Sequence, residues 1–154
     1  MSVSQPDPLL IFRTLCTVLG GQDPSALDAC IAAGQLNPLF DMACSQDVLP
    51  ALAVRGGERL VDWQPLGKAR ADQLRQSLRA NTLRNMTISA QALKLTRQLN
   101  QAGITPLLLK GTARLLLTQD EKLGFRKQAD IDLLVRPEEL EAAGNVFLAD
   151  GYRF

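Results

Sequence analysis

The chain has 154 residues, 46% of them hydrophobic and 21% charged, with 17 basic against 16 acidic side chains and a net charge of +1. A chain of this length buries a core without staples, and its near-neutral balance does not commit the whole molecule to nucleic acid. With no histidine at all, Ser-His-Asp and Cys-His catalysis and His-ligated zinc are excluded, and five Phe, one Trp and one Tyr are too few for a base-stacking platform.

Residues 1–8 lack the basic segment of a signal peptide, and the apolar stretch behind them is broken by Arg13 and ended by Gly20-Gly21. That stretch is too short to cross a bilayer, so the expected location is the cytoplasm, with no membrane partner. Four short helices are expected: 8–19, one opened by Asp23-Pro24 and closed at Gly34, one from Asn37-Pro38 to about 44, and 48–54. Residues 61–67 read as a connector. Cys16, Cys30 and Cys44 are 14 residues apart, but their flanks differ, so the spacing is not a repeat. An odd count in apolar stretches predicts free, buried thiols.

A long helix is expected over 68–102, a stretch without Pro or Gly, with Gly103 as its cap. Leu74, Leu78, Leu83, Met86, Ala90 and Leu93 give it a stripe at 3–4 spacing that predicts the buried face. The same segment carries seven bases and one acid. Its arginines, such as Arg75 and Arg79 on one face, form either a solvated surface or a strip facing phosphate, which keeps nucleic acid open as a partner.

The pattern changes after Gly103. A short apolar run, 105–110, predicts a buried strand; Gly111-Thr112 then turns into a helix over 113–119. A polar loop, 120–128, leads to a second strand, 129–135. Arg136-Pro137-Glu138-Glu139 opens a helix with acids in its first turn, closed at Asp150-Gly151. Tyr152 could begin a further strand.

Asp130 and Asp132 carry the chemistry. On a strand, residues two apart share a face, while Ile131, Leu133 and Val135 turn to the other side. Two carboxylates on one face suit Mg²⁺, one ion each or as a two-metal pair; equally, they make the polar side of a half-buried strand. Lys110-Gly111-Thr112 sits where a glycine and a helix N-terminus could receive phosphate, or simply make a turn. It is not a P-loop.

Taken in order, Leu109-Lys110-Gly111, Arg126 and Asp130-Ile131-Asp132-Leu133-Leu134-Val135 resemble the uncharacterised nucleotidyltransferase family, a branch of the DNA polymerase beta-like nucleotidyltransferase superfamily. The resemblance covers about residues 104–154. It implies an α+β fold: a mostly helical first two-thirds and a small mixed sheet of nucleotidyltransferase type at the C-terminal end. The segments would be a helical region 1–67, a connecting helix 68–102 and a partial nucleotidyltransferase core 103–154. It also implies Mg²⁺-dependent transfer of an NMP group from an NTP to an acceptor of unknown identity, with release of pyrophosphate. Gly111 and Thr112 would contact the β- and γ-phosphates, Lys110 and Arg126 would lie near them, and Asp130 and Asp132 would be the catalytic, Mg²⁺-binding pair. Thr112 stands where Ser or Gly is more usual. The superfamily's third carboxylate belongs on a later strand, where this chain stops, so the sheet is expected to be incomplete, turnover weak, and the cut edge open to self-association. The alternative is a non-catalytic helical interaction or regulatory protein with a degenerate or truncated nucleotidyltransferase fold.

Overall fold

Glycine and proline set most of the helix ends. The computed structural model describes residues 7–21, 23, 25–57, 66–118 and 122–153. Four short helices come first: α1 (Pro8–Gly20), α2 (Ser25–Ala32), α3 (Leu36–Ser45) and α4 (Leu49–Gly56). The Asp7 carboxylate caps α1 by accepting the Leu9 N–H at 3.0 Å. Gly21 ends it at φ +66°, where its N–H donates to the Thr17 and Val18 carbonyls. Pro24, most of the connector (61–65) and Phe154 lie outside the described residues. The long helix, α5 (Lys68–Gln101), runs unbroken for 34 residues.

Beyond it come β1 (Leu107–Leu108), α6 (Lys110–Leu117), β2 (Leu133–Leu134), a 3-10 turn at Pro137–Glu139, and α7 (Leu140–Ala149). The fold is α+β, mostly helical with one small sheet. The sheet has two antiparallel strands, Leu107 facing Leu134 and Leu108 facing Leu133. Both strands are much shorter than the runs 105–110 and 129–135 that predict them. Side chains take the backbone partners that a longer ladder would use. Thr112 accepts the Asp132 N–H at 2.9 Å, and Gln128 donates to the Asp130 carbonyl at 2.7 Å. Tyr152 is not in a strand either: its N–H closes the end of α7 on the Phe147 carbonyl at 3.0 Å, just past Gly151 at φ +88°.

The chain forms two compact units, Met1–Thr82 with Gly124–Lys127, and Leu83–Leu123 with Gln128–Phe154. In the first, Ile11, Leu15, Leu27, Leu39, Phe40 and Leu52 join Ala71 and Leu74 of α5 in one apolar cluster. Arg70 leaves α5 to lie over the Phe40 ring at 5.3 Å and to pair with Asp41 at 3.0 Å. In the second, Leu99, Ile104 and Ala143 are buried together, with Leu133, Val135, Val146 and Phe147 packed on them.

The buried stripe of α5 departs from expectation after Leu78. Leu83, Met86, Ala90 and Leu93 are exposed. Asn81 and Asn85 are buried in the first and second unit respectively. Asn81 Nδ2 donates to the Gly124 carbonyl at 2.7 Å, and Asn85 Nδ2 to the Leu123 carbonyl at 2.6 Å. Loop carbonyls need donors, so amides rather than leucines occupy these positions. Of the α5 bases, Arg75 pairs with Asp72 at 2.5 Å and Lys94 with Asp150 at 2.7 Å. All three thiols are free, but only Cys30 is buried; Cys16 and Cys44 each follow a core residue, Leu15 and Ala43, and are turned outward.

Candidate functional site

Lys110 stands at the junction of β1 and α6 with φ +45°, a left-handed conformation that costs a side-chain-bearing residue roughly 1–2 kcal/mol. The bend starts α6 at Lys110, three residues before the expected 113. Gly111 and Thr112 therefore lie in the first helical turn rather than in a turn ahead of it. Ala113 N–H donates to the Leu109 carbonyl at 3.2 Å. The N–H groups of Lys110, Gly111 and Thr112 precede that bond and form the positive end of the helix.

Thr112 is 0% exposed. Its oxygen accepts the Asp132 N–H at 2.9 Å, while the Asp132 carbonyl accepts the Leu109 N–H at 3.1 Å. The hydroxyl expected at a phosphate thus faces the acidic segment. Asp132 is held on both sides of its backbone, and its carboxylate remains about 25% exposed, with Lys110 Nζ 3.3 Å from Oδ1.

Asp130 reaches the same place through a residue that sequence reasoning missed. Gln128 is buried and donates through Nε2 to the Asp130 carbonyl at 2.7 Å and to Asp130 Oδ1 at 3.1 Å. Its other end presses on α6: a Cβ at Gly111 would lie 2.1 Å from Gln128 Oε1. Close approach, rather than a turn, is what requires glycine there. The only cue in the sequence is a neutral amide two residues before Asp130.

Lys110, Gly111, Thr112, Asp130 and Asp132 are thus linked around one helix N-terminus, all within the second unit. Arg126 is exposed and belongs to the first unit. The arrangement sets a cation and a positive helix end beside two carboxylates. The positive end is of the kind that receives an anion, and the carboxylates offer oxygen donors of the kind a divalent cation takes. Among the described residues, no group of three or more acids and cysteines is placed to hold a metal ion. Among them, too, no helix is long and apolar enough to cross a membrane.

The sequence model of one family, described as uncharacterised nucleotidyltransferase, matches residues 34–154. The match takes in α3 and α4 as well as α5 and the segment that carries the motifs. No curated protein and no solved structure matches the chain. With well over half of its length matched, and with the Lys-Gly and Asp-x-Asp segments brought together at α6, the chain belongs to the uncharacterised nucleotidyltransferase family.

Proposed function

We propose that the chain carries out Mg²⁺-dependent transfer of a nucleoside monophosphate from an NTP to an acceptor, with Asp130 and Asp132 as the catalytic pair. The observation that carries this reading is the placement of Asp132: Thr112 and Leu109 fix its backbone, and Lys110 meets its carboxylate at 3.3 Å. Such a constellation is costly unless used. It keeps a lysine in a strained, left-handed conformation at a helix N-terminus.

In the reaction, an acceptor oxygen forms a bond to the α-phosphorus. The bond from that phosphorus to the oxygen leading to the β-phosphate breaks, and pyrophosphate leaves with the electron pair. The acceptor's proton passes to solvent. Lys110 and the first N–H groups of α6 would hold the phosphates, supplying fixed positive charge where negative charge builds up. Asp130 and Asp132 would hold Mg²⁺ through their carboxylate oxygens, the donor type it takes. When bound, Mg²⁺ would neutralise the triphosphate and the departing pyrophosphate. Thr112 is a positioning residue. No step needs histidine.

The test is single-turnover release of pyrophosphate from each of the four NTPs, with and without Mg²⁺, in the native chain and in Asp130→Asn and Asp132→Asn. Mg²⁺-dependent release that both variants lose is the expected result. Equal release by the native chain and the variants would overturn the assignment. Binding of Mg²⁺–nucleotide without release would favour the non-catalytic alternative.

A further inference from the structure

The second unit also contains a cavity of about 430 Å³ that the phosphate chemistry above leaves unused. This is the usual size of a small-molecule site. Ile88 and Ile131 supply apolar wall. Phe147 and Tyr152 form an aromatic corner, their rings tilted by 57° with centroids 5.9 Å apart. Gln91 Nε2 donates to the Tyr152 hydroxyl at 2.5 Å, which pins the phenol and leaves its own proton free to donate. Asp130 is the one charged residue among the described residues of the lining.

That lining selects against the triphosphate. Among the described residues of the lining, a polyanion would meet a carboxylate and no cation, whereas a ring would find aromatic and branched aliphatic contact. A hydroxyl or amine on the ring would find a phenol, an amide and a carboxylate. Asp130 also belongs to the group at the α6 N-terminus, through Gln128. A molecule in the cavity therefore lies against one of the two acids of the proposed transfer site.

We infer that this cavity binds an uncharged or cationic ring compound bearing a hydroxyl group, and that it is where the non-phosphate part of the reaction is recognised. The inference rests on the proposed transfer for its meaning, though not for its test. Two sources have the required chemistry: the acceptor, and the nucleoside end of the NTP.

The chain has five isoleucines, of which Ile88 and Ile131 line the cavity and Ile11, Ile31 and Ile104 do not. Methyl-labelled isoleucine therefore gives two reporters and three internal controls. The titration is run without Mg²⁺ or NTP, using tyramine as the cationic ring probe and adenosine as the nucleoside probe. Failure of the cavity is thus separate from failure of transfer. Saturable shifts confined to Ile88 and Ile131 with tyramine assign the cavity to the acceptor. The same shifts with adenosine alone assign it to the nucleoside. Tyr152→Phe should weaken either by about fivefold, as for one neutral hydrogen bond. Asp130→Asn should weaken tyramine and spare adenosine. The control methyls report whether each variant is folded. Absence of saturable shifts with both probes, or equal shifts at all five methyls, would overturn the inference.

Discussion

Replacing Thr112 by Val removes one oxygen at nearly constant volume, and the structure states what that oxygen does. It accepts the Asp132 N–H at 2.9 Å from a side chain that is 0% exposed. A buried N–H left without an acceptor costs about 1–3 kcal/mol. Asp132 is partly open to water, which places the expected loss in the lower half of that range, about 1–2 kcal/mol, a factor of 5–30 in an opening equilibrium. Thr112→Ser keeps the acceptor and removes only a methyl group. The assay is hydrogen exchange at the Asp132 amide, followed residue by residue, alongside Mg²⁺–nucleotide affinity. Exchange should be roughly 5–30-fold faster in the Val variant and near native in the Ser variant, with affinity falling in the same order. If the Val variant exchanged like the native chain while losing nucleotide affinity, the hydroxyl would be contacting phosphate, and the positioning role argued for it would be wrong.

Gly111→Ala would place a Cβ 2.1 Å from Gln128 Oε1, so Gln128 must move and release Asp130. Adding Gln128→Ala should recover part of the loss, with a coupling of about 0.5–3 kcal/mol in a urea double-mutant cycle. Lys110→Gly relieves a left-handed lysine at φ +45° against a Gly entropy cost of roughly 0.5–1 kcal/mol. It should unfold at the same or higher urea concentration than Lys110→Ala, while both bind nucleotide more weakly than the native chain. Hydrogen bonds from Lys94, and then from Gln98, hold the Asp150 carboxyl below its usual range. The folded chain thus binds that proton less readily than the unfolded one. The contribution is present above the ordinary carboxylate pKa and is lost as pH falls through the lowered one. Asp150→Asn should therefore be less stable than the native chain near neutrality, with the difference closing in acid, as thermal melts across pH would record.

The helices were legible in the sequence because their ends are written in residues with strong backbone preferences. Gly21, Gly34 and Gly103 all take left-handed φ where periodicity stops. The pairing of Lys-Gly with Asp-x-Asp was legible as an ordered motif. What hydropathy could not report is where backbone groups find partners. Asn81 and Asn85 are buried because two loop carbonyls need donors, and no apolar pattern carries that information. The acidic segment 129–132 is not a regular strand because Thr112 and Gln128 satisfy it from the side. Gln128 looked like one more polar loop residue, though it sits against Gly111 and tethers Asp130. Apart from the local bond from Gln128 to Asp130, these contacts join residues more than fifteen apart in the chain, which spacing rules do not reach.

The proposed transfer requires a divalent cation and nucleotide phosphates to meet at the N-terminus of α6, between Lys110 and the two aspartates. Paramagnetic broadening of amide signals by Mn²⁺ with a non-hydrolysable NTP analogue tests it most directly. The amides of Gly111, Thr112, Asp130 and Asp132 should broaden first, only when nucleotide and Mn²⁺ are both present, and Asp132→Asn should remove the effect. Broadening centred elsewhere, with those four signals remaining sharp, would contradict it.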